Sequence, residues 1–196
     1  MKKLFTTLIA LSLSIALNSQ ALTIGITPST EQLNVGDNVL LQVDVSGLND
    51  LSAPALGVYD LNLNYDANLF AISTIIWGDA SKGNQLDLSG FGSLQMSDSS
   101  LAGSLNIFEL SFDDAWSLEN LQAGSFTLFS VMFSAINQGT SAFSLDINAL
   151  GDAYGNNFLV NSLNNGNAVS VPEPGAIILI MIGLIALGAS RLKQHG

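Results

Sequence analysis

The chain reads as an all-β sandwich carrying one short helix, placed between two apolar terminal segments. Three observations carry that reading. Apolar and polar residues alternate with period two along the middle of the chain, glycine- and asparagine-rich turn signals interrupt that alternation at short intervals, and the two ends differ in composition from everything between them. Residues 22 to 171 number 150, enough for one domain with a single sizeable core.

At the start, Lys2 and Lys3 form a basic n-region and Leu4 to Leu17 an apolar h-region. Ser19-Gln20-Ala21 then supplies small residues where a signal peptidase reads, so residues 1–21 are expected to be a signal peptide cleaved between Ala21 and Leu22. In the body, Val39 to Val45 alternates. So does Tyr59-Asp60-Leu61-Asn62-Leu63-Asn64-Tyr65-Asp66, whose Tyr and Leu residues point one way and Asp and Asn the other. Leu105 to Phe112 alternates up to Ile107-Phe108, where the phase changes and a bulge is expected to reverse the faces. Ala115 to Leu121 is the one helical interruption, with Asp114 as N-cap and Gly124 soon after its end. Phe126 to Ile136 is apolar in both phases and reads as a central strand covered on both sides, and Phe143 to Asn148 alternates again. Turn signals at Gly36-Asp37, Gly47, Gly83-Asn84, Gly139, Gly155-Asn156 and Asn165-Gly166 separate these runs.

After Val171-Pro172-Glu173-Pro174-Gly175 comes an uncharged apolar run from Ala176 to Ser190, then Arg191 and Lys193. At about 1.5 Å per residue, some 15 to 17 helical residues span roughly 22 to 26 Å, short for a permanent membrane span. The proline pair prevents backward extension, and the basic pair holds the far end on the cytoplasmic side. The segment is therefore expected to be a transmembrane helix, with the body outside the cytoplasmic membrane.

Residues 172–196 resemble the PEP-CTERM sorting signal of Gram-negative bacteria: a Pro-Glu-Pro motif, one hydrophobic helix and a basic end. The resemblance implies an exosortase as processing partner, Pro172, Glu173 and Pro174 as the recognised residues, and the helix as a transient anchor in the inner membrane. It also implies a host that makes exopolysaccharide or biofilm matrix, and a destination at the cell surface or in that matrix.

The body resembles cohesin-type modules. Leu33-Asn34-Val35-Gly36-Asp37 followed by Val39 to Val45, then Gly57-Val58-Tyr59-Asp60-Leu61 and Tyr65-Asp66, match their opening. Gly124-Ser125-Phe126 to Phe133, the Gly139-Thr140-Ser141 turn and the closing run from Gly166 to Val171 continue the pattern. This implies a jelly-roll sandwich of about nine strands over residues 22–171, whose family activity is to bind a dockerin partner with one sheet face.

Composition excludes several functions. Lys82 is the one basic residue of the body against fifteen carboxylates, a net charge of −14 that repels nucleic acid. There is no cysteine, so the exported fold has no disulfides. The single histidine, His195, lies in the tail. The body therefore lacks a Ser-His-Asp triad, a Cys nucleophile, a His metal site and a histidine base.

Paired-carboxylate chemistry would fall to Glu109, Asp113, Asp114 and Glu119, but Asp113 and Asp114 are adjacent and suit helix capping, so no catalytic residue is assigned. Trp77, Trp116, Tyr59, Tyr65 and Tyr154 are the aromatics available for a sugar platform. Of these, Tyr59 and Tyr65 are in phase with core leucines, and Trp116 is expected as a lid over the sandwich end. Asp146, Asn148, Asp152, Asn156 and Asn157 gather around Gly151 and Gly155 as candidate calcium ligands, and Asx-turns account for the same residues. The expected function is non-enzymatic: adhesion or scaffolding in an extracellular polysaccharide or biofilm matrix. A carbohydrate-binding module for the organism's exopolysaccharide, or a cohesin with a dockerin-bearing surface protein as partner, are the alternatives. Three coplanar exposed aromatics would favour sugar, and a flat face of apolar and hydroxyl residues would favour protein.

Overall fold

A computed structural model describes residues 22–48, 54–158, 160, 162–166, 169–171 and 184. Residues 1–21, expected from sequence to be a signal peptide, the Pro-Glu-Pro motif and nearly all of the C-terminal apolar run lie outside the described residues.

Among the described residues, eleven strands and the helix α1 follow in order: β1 (Thr23–Pro28), β2 (Asn38–Ser46), β3 (Leu56–Asn64), β4 (Phe70–Trp77), β5 (Ser93–Asp98), β6 (Ser104–Ser111), α1 (Ala115–Leu121), β7 (Ser125–Ala135), β8 (Gly139–Ser141), β9 (Ser144–Asp152), β10 (Ser162–Asn164) and β11 (Val169–Val171). They form a five-stranded sheet ordered β10-β1-β2-β7-β4, a four-stranded sheet ordered β5-β6-β3-β9, and a β8–β11 ribbon. The pairings are antiparallel except for β1 with β10. The two larger sheets enclose the core.

Alternation did what it predicts in β2 and β3. Val39, Leu41, Val43 and Val45 from one sheet face Tyr59, Leu61 and Leu63 from the other, all buried. Phe70, Phe133 and Phe143 pack with ring centroids 5.4 to 6.3 Å apart, and Tyr65 joins them 4.9 Å from Phe133. Helix α1 begins where its cap predicts: the Asp114 carboxylate accepts the Ser117 N–H at 2.9 Å and the Ser117 hydroxyl at 3.1 Å.

Two local expectations change. Strand β7 is central, between β2 and β4, but the register slips at Val43/Asp44, where Leu128 is the extra residue. That bulge buries Leu128 and Phe129 in succession and turns Thr127 outward onto Asp44, with Thr127 Oγ1 donating to Asp44 Oδ1 at 2.6 Å. The bulge accounts for the apolar step Leu128-Phe129, while outward Thr127 and Ser130 are buried, as expected of a central strand. Strand β6, by contrast, pairs with β3 and β5 without a bulge. Its inward phase continues unbroken through Leu105, Ile107 and Glu109, so a carboxylate enters the core while Phe108 and Leu110 turn outward.

Glu109 is completely buried, and each of its oxygens has neutral donors: Oε1 accepts from Asn84 Nδ2 at 2.6 Å, Ser93 Oγ at 2.5 Å and Gln95 Nε2 at 2.9 Å, and Oε2 from Tyr59 Oη at 2.8 Å. These donors come from β3, β5 and the loop before β5, which the carboxylate joins. Burial, then the charge and hydrogen bond of Glu109, push the Tyr59 hydroxyl well above its ordinary pKa.

The pH profile of stability follows from such groups. Burial raises Asp79 and Asp152, but hydrogen bonds outweigh it: N–H groups of Thr127, Ser81 and Lys82 with the Ser81 hydroxyl for Asp79, and Asn156 with the Tyr154 and Gly155 N–H groups for Asp152. Both carboxyls are held below the usual range, as is Asp114 by the Ser117 N–H. A depressed folded pKa contributes stability above the unfolded value and loses it as acid protonates the group, so melting temperature should fall below about pH 4. A raised tyrosine acts in the opposite sense, and stability should also fall above about pH 10. Thermal melts from pH 2 to 11 check both limbs; a profile flat through either one contradicts the assignment.

Candidate functional site

The outer face of the β5-β6-β3-β9 sheet is assembled by register. Leu94 lies beside Leu110, which lies beside Val58 and then Gly151; the next row is Met96, Phe108, Asp60 and Ala149; the next is Asp98, Asn106, Asn62 and Asp146. Residues on one face of neighbouring strands touch, so the three rows make one continuous surface. Its first row is apolar and its second is apolar but for Asp60, with Met96 58% exposed and Leu94 and Leu110 also exposed. From Asp60 onwards the face is a hydrogen-bonded ladder of amides and carboxylates that also takes in Asn64 and Asn148. Asn106 Nδ2 donates to Asp60 Oδ1 at 2.6 Å and Asn62 Oδ1 at 3.0 Å, Asn148 Nδ2 to Asp60 Oδ1 at 3.0 Å, and Asn64 Nδ2 to Asp146 Oδ2 at 2.8 Å.

The apolar rows run towards the crown, the end of the sandwich that carries α1, the start of β3 and the ends of β6 and β9. Phe91, Phe112 and Trp116 are exposed there. Gln122, buried at the end of α1, fixes that helix to β3: its Oε1 accepts the Leu56 N–H at 2.7 Å, and its Nε2 donates to the Leu56 carbonyl at 2.9 Å and to the Gln85 carbonyl at 2.9 Å. Between α1 and the turn after β9 lies a shallow cleft of about 130 Å³, lined among others by Val58, Leu110, Asp113, Leu118, Asp152 and Ala153. The Asp113 carboxylate accepts the Leu88 N–H at 2.6 Å and the Ser89 N–H at 3.2 Å. Asp152 accepts the Tyr154 and Asn156 N–H groups, each at 2.8 Å, and Asn156 Nδ2 at 2.9 Å. Tyr154, 65% exposed, donates its hydroxyl to Glu119 Oε2 at 3.1 Å, which draws its hydroxyl above the ordinary pKa.

These positions sort the residues singled out from sequence. The four carboxylates considered for acid–base chemistry are dispersed in role: Glu109 is in the core, Asp113 holds the 88–89 backbone, Asp114 caps α1 and Glu119 pairs with Tyr154. Of the aromatics, Tyr59 is fully buried, and Tyr65 and Trp77 pack against the core. Trp116 is 68% exposed and therefore no lid, since α1 turns Ser117 and Leu118 inward instead. The residues put forward for calcium fall in two groups along β9: Asp146 and Asn148 in the amide ladder, and Asp152 and Asn156 together in the crown turn, where Asn157 bridges to Gly151. Among the described residues, no group of three or more Asp, Glu, His or Cys side chains is placed to share a metal ion. The apolar outer rows were not singled out from sequence. Their signal was the outward phase of β6, hidden by reading Ile107-Phe108 as a phase change.

Comparison with known proteins gives two kinds of match. The model for the PEP-CTERM protein-sorting motif matches residues 170–192. Comparison with curated sequences found no match. Among solved structures, the second type II cohesin module of the cellulosomal adaptor ScaA scaffoldin of Acetivibrio cellulolyticus superposes with a TM-score of 0.64 at 14% identity, covering 78% of this chain and 99% of that one. CaCohA2 from Clostridium acetobutylicum gives 0.57 at 19%, covering 80% and 94%. The non-cellulosomal cohesin of the hyperthermophilic archaeon Archaeoglobus fulgidus gives 0.54 at 18%, covering 77% and 92%. At such identities the likeness establishes the fold and leaves the ligand open. The chain is therefore a cohesin-like β-sandwich followed by a PEP-CTERM sorting motif.

Proposed function

We propose that this protein is exported, sorted at the cell envelope through residues 172–196, and acts outside the cell as a non-enzymatic adhesion or scaffolding module that docks a protein partner on the outer face of the β5-β6-β3-β9 sheet. The observation that carries the reading is the exposed apolar half of that face, Leu94, Met96 and Leu110 with half-buried Val58 and Phe108. Exposed apolar surface of this kind, bordered by polar side chains, suits a protein interface. The face holds one aromatic, Phe108, where a sugar platform needs several in one plane. Exposed Trp116 and Tyr154 are what favour the second reading, a carbohydrate-binding module, and they sit at the crown, off the sheet. One of the similar structures is described as a type II Cohesin-X-Dockerin complex, which supports a dockerin-like domain as one form the partner takes.

Polarity supports an outward-facing role. Val171, next to Pro172, pairs with Gly139 in the β8–β11 ribbon, which follows the end of β7 farthest from α1. Anchoring through the segment after Val171 leaves the crown pointing away from the membrane. Leu22 is buried at 3% and Val171 at 2%, which supports a folded body spanning residues 22–171, and cleavage after Ala21 would leave that body whole.

Replacing Leu94 and Met96 together by aspartate tests the face. Both side chains are exposed, so stability should move by no more than about 0.5 kcal/mol while retention in the extracellular matrix of the producing strain falls. Unchanged retention would sink the docking reading, and retention governed by Trp116→Ala with Tyr154→Ala would move it to sugar. Sorting has its own test: Glu173→Ala, or Pro172 replaced together with Pro174, should leave the protein in the inner membrane at unprocessed size. Normal fractionation of these variants would remove the sorting step from the proposal.

A further inference from the structure

Resting on the reading of the outer face as a protein-docking surface, we propose that the crown cleft receives a cationic side chain, lysine or arginine, projected by the docked partner. The cleft is a continuation of the apolar face, because Val58 and Leu110 belong to both. A partner seated on Leu94, Met96 and Leu110 therefore reaches it without leaving the surface.

What the cleft offers is matched to a long basic side chain. Val58, Leu110, Leu118 and Ala153 give apolar walls for a methylene stem. Asp113 and Asp152 give two carboxylates, and every hydrogen bond they accept comes from a neutral N–H group. No cation of the body answers them: its one basic residue, Lys82, donates to the Ser125 carbonyl. Asp152 is buried and Asp113 half-buried in the lining of this one cleft, and a partner's charge supplies there what the body's own sequence does not.

The rim adds a second, independent feature. Tyr154 is exposed yet held at both ends, its N–H by Asp152 and its hydroxyl by Glu119, so its ring is ordered before anything binds. Glu119 lies one helical turn beyond exposed Trp116, which puts the two on one face of α1. Aromatic faces beside carboxylates attract a guanidinium or ammonium group. A volume of about 130 Å³ suits the end of one side chain better than a pyranose ring with hydroxyls around its edge.

The test uses the full-length protein, ¹⁵N-labelled in neutral detergent micelles, titrated with N-acetyl-arginine methylamide, with its uncharged isostere N-acetyl-citrulline methylamide, and with methyl glucoside. Saturable shifts are expected at the amides of Gly57, Val58, Ser111, Ala153 and Gly155. Since a hydrogen bond to a charged group is worth about 1.5 to 3 kcal/mol, arginine should bind roughly tenfold or more tightly than citrulline. Asp113→Asn, whose amide oxygen still accepts the Leu88 and Ser89 N–H groups, should weaken arginine binding by a similar factor with little change in melting temperature. Equal affinity for arginine and citrulline, shifts confined to the glucoside, or no saturation with any of the three would each overturn the proposal. The outcome is separable from the docking reading, because Leu94 and Met96 do not line the cleft: that reading fails on matrix retention alone, whatever arginine does.

Discussion

Glu109→Ala is expected to cost about 3 to 5 kcal/mol, seen as a fall in melting temperature of roughly 6 to 20 °C for a domain of this size. The physical reason is the asymmetry between making and losing buried hydrogen bonds. The carboxylate serves four donors at once, and its removal leaves the Tyr59 hydroxyl, the Asn84 amide and the Ser93 hydroxyl short of an acceptor around a cavity, with exposed Gln95 losing its tie to the core. The loss should also be felt locally, because Ser93 and Gln95 are the inward side chains of edge strand β5. Glu109→Gln keeps the shape and one acceptor, and should cost clearly less than alanine. Equal melting temperatures for wild type and Glu109→Ala would mean that the cluster does not hold β5.

Gln122→Ala is the second large effect, expected at about 2 to 4 kcal/mol. The side chain of Gln122 behaves towards Leu56 as a neighbouring strand would, offering an acceptor to its N–H and a donor to its carbonyl. Leu56 is fully buried, so water cannot replace either partner without opening the crown. Gln122→Glu separates hydrogen bonding from volume: it keeps the acceptor for the Leu56 N–H and loses the donor to the Leu56 and Gln85 carbonyls, so it should also be strongly destabilising. A melt unchanged by both substitutions would show that α1 is not fixed to the sandwich through this residue.

Both residues explain where sequence was readable and where it was not. Strands β2 and β3 could be read because every inward position is apolar, and α1 because Asp114 supplies a local cap. Strand β4 was not read, since the slip in its pairing between Ile72 and Thr74 breaks its alternation. Strand β5 was not read because five of its six residues are exposed and its inward side chains serve a polar cluster rather than the apolar core. The alternation of β6 was intact, but recognising it required admitting a carboxylate to the core, and the donors that permit this lie on β3, β5 and the 84 loop. The proposed docking face was illegible for the same reason: Leu94, Leu110 and Val58 become neighbours only through register, which joins strands far apart in the chain.

The most direct measurement of whether that face is the working surface is amide hydrogen exchange of the protein in its native matrix against the purified protein. As an exposed edge strand, β5 should exchange readily when the protein is alone. In the matrix, peptides covering residues 93–98 and 106–111 should slow, while those covering β4 and the outer side of β7 should not. Protection confined to the β10-β1-β2-β7-β4 sheet, or no protection anywhere, would contradict docking on the β5-β6-β3-β9 face.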